Sequence, residues 1–247
     1  LANHELGTVQ RIREISEIVA RERNRRMEAG ETTPIYLHSD ASQGAGQLDI
    51  NVARLGVDML TLNAAKMYGP KQVGLLWMSS NVRMQPLIVG GGQERGLRSG
   101  TENVAGTIGF ARALELVTEH RNSEVKRLGE LRDHLQRRLL EAFPDAIISG
   151  STKRRLSGHL HISFPGIDAE RIVIALKVRN VLVATGSACA ANKGKFSHVL
   201  MAIGVEEPVA NGSLRLTLGR LNDRAAIDRA ADEIIDVITA EYKRVRR

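Results

Sequence analysis

The sequence predicts an α/β protein, in which strands and helices alternate before a smaller α+β part. Three short apolar runs, at residues 35–38, 59–62 and 73–78, read as buried strands. Isoleucines at helical spacing within residues 10–29 precede them, and Gly30 ends this helix. Strands that alternate with helices are typical of a sheet with parallel strands.

The second half of the chain reads as a mixed α+β region from about residue 145. Its predicted strands are residues 146–149, 159–164, 181–183 and 213–217. Its predicted helices are residues 169–178, 196–203 and 224–242, and two earlier helices are predicted at 103–118 and 123–142. We place a domain boundary within residues 118–122, which gives domains of 1–118 and 119–247.

Composition narrows the class of protein. The 247 residues, 43% of them hydrophobic and 26% charged, are typical of a globular chain with ample core. No apolar run is long enough to span a bilayer, and the first residues do not read as a secretory signal. With a single cysteine, these features predict a cytoplasmic protein that does not bind membranes.

The net charge of +7 would suit an acidic partner. Its basic clusters read more simply as solvated helix faces and a frayed tail. Proteins that bind nucleic acids usually offer aromatic side chains for stacking, and aromatic residues make up only 3% of this chain. The sequence therefore does not favour direct binding of nucleic acid.

Cys189 is the one cysteine, and it lies among small residues in the run GSACAAN at 186–192. A thiol kept for packing usually lies among Val, Leu and Ile, and a lone cysteine cannot close an intrachain disulfide. Lys193 and Lys195 follow, and nearby cations favour the nucleophilic thiolate. Taken alone, a lone cysteine is more often inert. The rest of the chain favours a reactive thiol on a loop.

Two further groups follow predicted strands: Asp40 after the first and Lys66 after the second. Ligands of open α/β sheets bind at the carboxyl ends of the strands, so both groups could face one crevice. A carboxylate can keep the ring nitrogen of pyridoxal phosphate protonated, and a lysine in an apolar setting can bond covalently to a carbonyl group. Ala64 and Ala65 leave room for a flat ring. Taken alone, Asp40 reads more simply as a cap or turn residue.

Six segments carry a resemblance to a known family. They are NHELG at 3–7, SDASQ at 39–43, KMYGPK at 66–71, GGGQERGLRSGT at 90–101, GSAC at 186–189 and SLRLTLG at 213–219. With these segments the chain resembles the C-terminal part of a cysteine desulfurase, in the class V aminotransferase-like family of pyridoxal phosphate enzymes. The resemblance implies part of a type I PLP-transferase large domain with a mostly parallel sheet, and then a smaller α+β domain with the cysteine loop. It also implies that the large domain begins upstream of Leu1.

The resemblance assigns six residues to binding pyridoxal 5′-phosphate, namely the five described here and His4. Lys66 would hold the cofactor covalently and move protons at the substrate Cα. Asp40 would pair with the ring nitrogen, and Gln43 would hydrogen-bond the ring hydroxyl. Thr101 would reach the cofactor phosphate of the partner subunit in a homodimer. Asn63 could donate to the phosphate, because Asn63-Ala64-Ala65 stands where the family usually has Ser-Gly-His.

Four more residues receive roles on the same basis. His4 would lie beside the cofactor, in place of the second Asn of the family's Asn-Asn-Glu motif. Arg215 would clamp the carboxylate of L-cysteine, a task that suits a planar guanidinium, and Asn3 would join it in binding the substrate. Cys189 would take the substrate sulfur as a persulfide and leave L-alanine.

The implied activity is a cysteine desulfurase that passes sulfur to an acceptor, such as an Fe–S scaffold or a tRNA-thiolation enzyme. Selenocysteine lyase or another class V enzyme is an alternative, and so is a non-catalytic sulfur-relay or scaffold module. A cysteine hydrolase that used His198 would leave Lys66 and Asp40 unexplained.

His159 and His161 share one face of a predicted strand, but no further metal ligands with suitable spacing accompany them, so a metal site is not predicted. We read them as a partly exposed strand face.

Overall fold

The computed structural model describes residues 1–186 and 197–246 of the chain. Its contacts form two compact units: Leu1 with Gln10–Arg121, and Ala2–Val9 with Asn122–Arg247. Residues 2–9, which the sequence analysis assigns to the first domain, thus pack with the second unit. In the described residues, no helix is long and apolar enough to cross a membrane.

The first unit contains a three-stranded sheet in the order β1-β2-β3. Its strands are β1 (His38–Asp40), β2 (Met59–Asn63) and β3 (Gly74–Met78). Its α-helices are α1 (Ile12–Glu28), α2 (Val52–Leu55) and α3 (Val104–Glu119), and 3-10 helices cover Ala64–Met67 and Glu94–Gly96. β1 pairs with β2 in parallel, and β2 pairs with β3 antiparallel. Within the described residues of this unit, the expected parallel pairing therefore joins β1 and β2, and β3 is antiparallel because the short connection after β2 reverses the chain.

The first strand begins later than predicted. The sequence places it at residues 35–38, whereas the ladder to β2 begins at His38. Before His38, backbone groups form hydrogen bonds with side chains. Arg23 donates to the carbonyl oxygen of Ile35, and the N–H of Leu37 donates to Asp58 Oδ2. Asp40 is consequently the last residue of β1 and does not lie beyond it.

The second unit contains a four-stranded sheet in the order β4-β5-β7-β6, with every neighbouring pair antiparallel. Its strands are β4 (Ile147–Ile148), β5 (His159–Ser163), β6 (Ala184–Thr185) and β7 (Ser213–Thr217). Its helices are α4 (Arg121–Ala142, which starts at the last residue of the first unit), α5 (Ala169–Val178), α6 (His198–Ala202), α7 (Glu207–Asn211) and α8 (Arg224–Val245). β6 lies later than the predicted 181–183, because the N–H of Val181 bonds back to Leu176 and closes the end of α5.

Both faces of this second sheet are buried. Leu160, Ile162, Leu214 and Leu216 alternate along β5 and β7 and join a core with α4, α5 and α8. Each fully buried leucine or isoleucine contributes about 2 kcal/mol to folding. The opposite face is polar and still buried; its buried members are His159, His161, Ser163 and Ser213. A buried polar face needs hydrogen-bond partners, which makes it a candidate for function.

Gly212, directly before β7, has no room for a side chain. A Cβ atom there would lie 2.0 Å from the carbonyl oxygen of Phe164, whose N–H donates to the carbonyl oxygen of Gly212 over 2.9 Å. We expect Gly212→Ala to lower the free energy of unfolding by about 3 kcal/mol, because backbone must move. Gly129→Ala, in α4 with no atom within 4 Å of the added Cβ, is the control and should raise stability by up to about 1 kcal/mol. If denaturant titrations showed the same loss of unfolding free energy for Gly212→Ala and Gly129→Ala, this explanation would be contradicted.

Candidate active site

Asp40 ends β1 as an ionised, partly exposed carboxylate. Its Oδ1 accepts a hydrogen bond of 2.7 Å from the N–H of Ser42, which shapes the turn after the strand. Burial opposes ionisation, but hydrogen bonds from Ser42 together with nearby positive charges lower the pKa of Asp40 below its ordinary value. Gln43 lies half-buried in the same turn. This strand end therefore offers a negative charge with a neighbouring amide.

Lys66 lies on the 3-10 helix that follows β2. Asn63, the last residue of β2, caps this helix by accepting the N–H of Ala65 on its Oδ1 over 3.0 Å. Ala64 and Met67 face the core, and Lys66 is exposed on the opposite side. The apolar setting that the sequence suggested for Lys66 is therefore wrong, since the apolar residues of this turn point inward. The lysine is presented to solvent by a well-anchored turn.

The pairing of β1 with β2 relates these two groups. Asp40 stands opposite Thr61, and the turn that carries Lys66 follows the same end of β2. Both strands run in parallel, so their carboxyl ends lie at the same edge: Asp40 and Asn63 are the last residues of these strands, and Gln43 and Lys66 follow them. That edge is where open α/β sheets bind ligands.

Thr101 belongs to a different part of the first unit. It is exposed and lines a cavity of about 690 Å³ together with Leu76, Arg98 and Phe110. The lining of this cavity includes neither Asp40 nor Lys66. The loop before Thr101 is held by its own side chains, since Gln93 Oε1 accepts the N–H of Gly100 over 3.0 Å. The role of Thr101 toward a partner subunit stays a prediction.

The second unit brings together the remaining described candidates, Asn3, His4 and Arg215. Asn3 Oδ1 accepts the N–H groups of Glu5 and Leu6, both over 2.9 Å, and so turns the segment 2–9 on itself. A guanidinium N–H of Arg215, on β7, donates to the carbonyl oxygen of His4 over 3.3 Å. His4 is exposed. Cys189 lies outside the described residues, so its predicted role stays a prediction.

The structure corrects the interpretation of His159 and His161. Their residues are only 4% and 1% exposed, so they do not form a partly exposed face. Gly7, in the segment 2–9, packs closely against the first of them: a Cβ built on Gly7 would lie 2.5 Å from His159 Cβ. Burial first, and then the charge of Arg215, lower the pKa of each histidine to about 4. Both rings are therefore neutral at pH 7.

These two histidines should make the second unit sensitive to acid. Their folded pKa of about 4 lies below the ordinary value of 6.5, so the unfolded chain binds protons first as the pH falls. The free energy of unfolding should drop between about pH 6.5 and 4, with about 3 kcal/mol from each ring. Across this pH range, denaturant titrations of His161→Asn should show a loss of unfolding free energy that is about 3 kcal/mol smaller than that of the wild type. His198→Gln, which removes an exposed imidazole, is the control, and a wild-type profile for His161→Asn would contradict the assignment.

Sequence reasoning missed Glu5 and Ser197. The Glu5 residue is 1% exposed, and its Oε2 accepts a hydrogen bond of 2.5 Å from Ser197 Oγ. The signal in the sequence that could have indicated Glu5 is its place in the segment 3–7, which also contains the candidate site residues Asn3 and His4. Its partner lies 192 positions away, which no local pattern could indicate.

Comparison with known proteins agrees with the resemblance. The family model described as Aminotransferase class-V matches residues 2–230. The chain is 40% identical over 245 residues to the protein named Cysteine desulfurase IscS 1 of Archaeoglobus fulgidus. This alignment covers 99% of this chain and 60% of that protein. The chain is also 40% identical over 239 residues to Cysteine desulfurase IscS of Clostridium botulinum strain Hall, over 96% of this chain and 57% of that protein.

Solved structures share the fold. A protein described as NifS-like superposes with a TM-score of 0.84 at 33% identity, over 97% of this chain and 60% of that one. A NifS-like protein from Rickettsia africae ESF-5 gives 0.83 at 31% identity, over 98% of this chain and 60% of that one. The mixed α/β fold expected from the sequence is thus confirmed. The chain spans about 60% of the length of these relatives.

Proposed function

Because the chain belongs to the aminotransferase class V family, we propose that the protein is a cysteine desulfurase that uses pyridoxal 5′-phosphate. The proposal is supported most directly by the parallel register of β1 and β2. Asp40 pairs with Thr61, and the turn of Lys66 follows the same strand end. Relatives with the same named activity match nearly the whole chain at 40% identity, which favours this activity over other class V reactions.

The described residues fit the cofactor chemically. An aldehyde needs an exposed amine, and Lys66 offers one on an anchored turn. A pyridine nitrogen stays protonated beside a carboxylate, and hydrogen bonds from Ser42 with nearby positive charges lower the pKa of Asp40. Gln43 and Asn63 are assigned the ring hydroxyl and the phosphate, Thr101 the phosphate of the partner subunit, and His4 a place beside the ring. When bound, pyridoxal phosphate supplies an electron sink for the bonding pair at the substrate Cα.

The second unit handles substrate and sulfur in this proposal. Arg215 binds the carboxylate of L-cysteine with its planar guanidinium, and Asn3 orients the same end. The thiolate of Cys189 attacks the substrate sulfur, so that an S–S bond forms while the substrate C–S bond breaks. The bonding pair of the broken C–S bond stays with the carbon product, whose Cβ takes a proton, while Lys66 would remove and return the proton at Cα, and the product leaves as L-alanine. Cys189 keeps the sulfur as a persulfide, and no outside oxidant or reductant is needed for this step.

The proposal includes partners. The persulfide passes to a sulfur acceptor, either an Fe–S scaffold or a tRNA-thiolation enzyme. Thr101 has a role only if two copies associate, so we propose a homodimer. We also propose a cytoplasmic location, in line with a single cysteine among 247 residues.

Product analysis tests the function. Protein expressed from its complete reading frame, loaded with pyridoxal phosphate and given L-cysteine with dithiothreitol, should form L-alanine and sulfide in equal amounts. L-Selenocysteine at equal concentration distinguishes a lyase for that substrate, which would process it much faster than L-cysteine. A protein that binds no cofactor would contradict the proposal and favour a non-catalytic relay module.

A further inference from the structure

One row of side chains crosses the second sheet on its polar face. In strand order it consists of Ser149, His161, Arg215 and Ala184. His161 stands opposite Arg215 in the ladder of β5 and β7, and Arg215 stands opposite Ala184 in the ladder of β7 and β6. The N–H of Ser149 donates to the carbonyl oxygen of His161 over 3.2 Å, which continues the pairing of β4 with β5. Because directly opposite residues have Cβ atoms about 5 Å apart, His161 is an immediate neighbour of Arg215.

The positive charge of Arg215 is not matched by a carboxylate. Within the described residues Arg215 forms no ion pair, and its guanidinium donates to a neutral group, the carbonyl oxygen of His4. Glu5, a buried carboxylate of the same unit, accepts a hydrogen bond from Ser197 Oγ instead. Arg215 is half-buried and so loses part of its hydration, which makes a missing counter-charge unfavourable for folding. This arrangement leaves a cation available to an anionic ligand.

His161 gives Arg215 neither a charge nor a hydrogen bond. The residue is 1% exposed, and neither of its ring nitrogens has a hydrogen-bond partner within the part of the chain that the structure describes. Burial first, and then the charge of Arg215, lower the pKa of His161 to about 4, so the ring is uncharged at pH 7. An aspartate at this place would pair with Arg215, since opposite charges on directly opposite residues attract.

The row also limits where the stem of Arg215 can lie. Side chains of a strand stand roughly perpendicular to the sheet, so this stem rises between a large imidazole on β5 and the small Ala184 on β6. Its end reaches the carbonyl oxygen of His4 over 3.3 Å, in the segment 2–9. The imidazole of His161 therefore fills the space toward β5 without binding the guanidinium.

We propose that His161 is a positioning residue for Arg215, an uncharged wall that keeps the guanidinium free for the carboxylate of L-cysteine. In this proposal His161 acts through Arg215 and touches neither the substrate nor the cofactor. The effect on the substrate rests on the proposed function, whereas the missing counter-charge at Arg215 does not.

A carboxylate placed opposite Arg215 tests the proposal by kinetics. The new side chain of His161→Asp should pair with the guanidinium and compete with the substrate carboxylate. On cofactor-loaded protein from the complete reading frame, we expect KM for L-cysteine to rise about tenfold, with kcat within about threefold and visible absorbance within about twofold of wild type. His161→Asn, which stays uncharged, should raise KM by less than about threefold. His198→Asp, the same exchange at an exposed position, is the control and should leave KM within about twofold.

Unfolding in urea tests the missing counter-charge without relying on activity. In otherwise wild-type protein, Arg215→Met should leave the midpoint unchanged or raise it, because it removes a cation that has no carboxylate partner. In the His161→Asp background the same exchange should lower the midpoint by about 1 M, because a buried carboxylate then loses its partner. The difference between the two shifts measures the pairing of positions 161 and 215.

Three results would overturn the proposal. They are a KM for His161→Asp within twofold of wild type, a rise no larger than that of His161→Asn, and equal midpoint shifts for Arg215→Met in the two backgrounds. If His161→Asp fails to fold, Arg215→Met in otherwise wild-type protein decides, since a midpoint lowered by about 1 M would show that Arg215 has a counter-charge after all. If wild-type protein forms no L-alanine, the proposed function fails, while the midpoints still test the place of His161 beside Arg215.

Discussion

Replacing Lys66 by alanine is expected to abolish the visible absorbance of bound pyridoxal phosphate and to slow L-alanine formation by about 10³-fold or more. The reason lies in the turn after β2, where Asn63 caps the 3-10 helix and Ala64 and Met67 anchor it, so that Lys66 stands exposed. No neighbouring amine on that helix can replace it. Spectra of desalted protein and product analysis measure the two effects.

Lys71→Ala is the matched control for this prediction. Lys71 is an exposed lysine in the turn that follows the same helix, and no role is assigned to it. This variant should keep both absorbance and activity within twofold of wild type. If Lys66→Ala retained the absorbance, or if Lys71→Ala lost it, the assignment of the cofactor lysine would be wrong.

Replacing Cys189 by serine is expected to separate cofactor binding from sulfur transfer. A serine hydroxyl has nearly the size of the thiol, but it is a far weaker nucleophile at neutral pH and cannot hold a persulfide. Visible absorbance should therefore stay at the wild-type level, while L-alanine and sulfide formation should fall by about 10³-fold.

Ser187→Ala, in the same run of small residues, is the control and should change the rate by less than threefold. Persulfide on the wild-type protein can be read from the mass of the peptide that contains Cys189 after brief reaction with L-cysteine. Wild-type rates for Cys189→Ser would show that another group accepts the sulfur.

Local patterns predicted those elements that depend on local interactions. The helix at residues 169–178 was predicted, and the structure shows α5 at Ala169–Val178, where Asp168 caps the helix by accepting the N–H of Glu170. β7 also lies where alternation in the sequence puts it, at Ser213–Thr217. The cap of α5 acts within three residues, whereas β7 pairs with the distant β5 and β6 and only its alternating pattern is local.

Residues distant in the chain explain where the structure differs from the sequence-based predictions. The start of β1 depends on Arg23 and Asp58, which bond the backbone of residues 35–37. The burial of His159 and His161 also involves residues distant in the chain, since a Cβ built on Gly7 would lie 2.5 Å from His159 Cβ and one built on Gly186 would lie 3.2 Å from His161 Nε2. The alternation of His159, His161 and Ser163 with Leu160 and Ile162 did indicate a polar face, but this pattern does not tell that the face is buried. The contact of Glu5 with Ser197 could not be predicted for the same reason.

The candidate site was predicted more from motifs than from geometry. Strand pairing agrees with the expected common edge for Asp40 and Lys66, because β1 and β2 run in parallel. The sequence did not predict the exposure of Lys66, since a run of alanines does not tell which residue of a 3-10 turn faces the core.

The central claim is that Lys66, at the carboxyl edge of β1 and β2, carries the cofactor. Borohydride reduction of the cofactor-loaded protein, followed by peptide mass mapping, measures this directly. The account predicts a phosphopyridoxyl group on Lys66 and on no other lysine. A protein that holds the cofactor, yet carries the reduced group on a different lysine or leaves Lys66 unmodified, would contradict it.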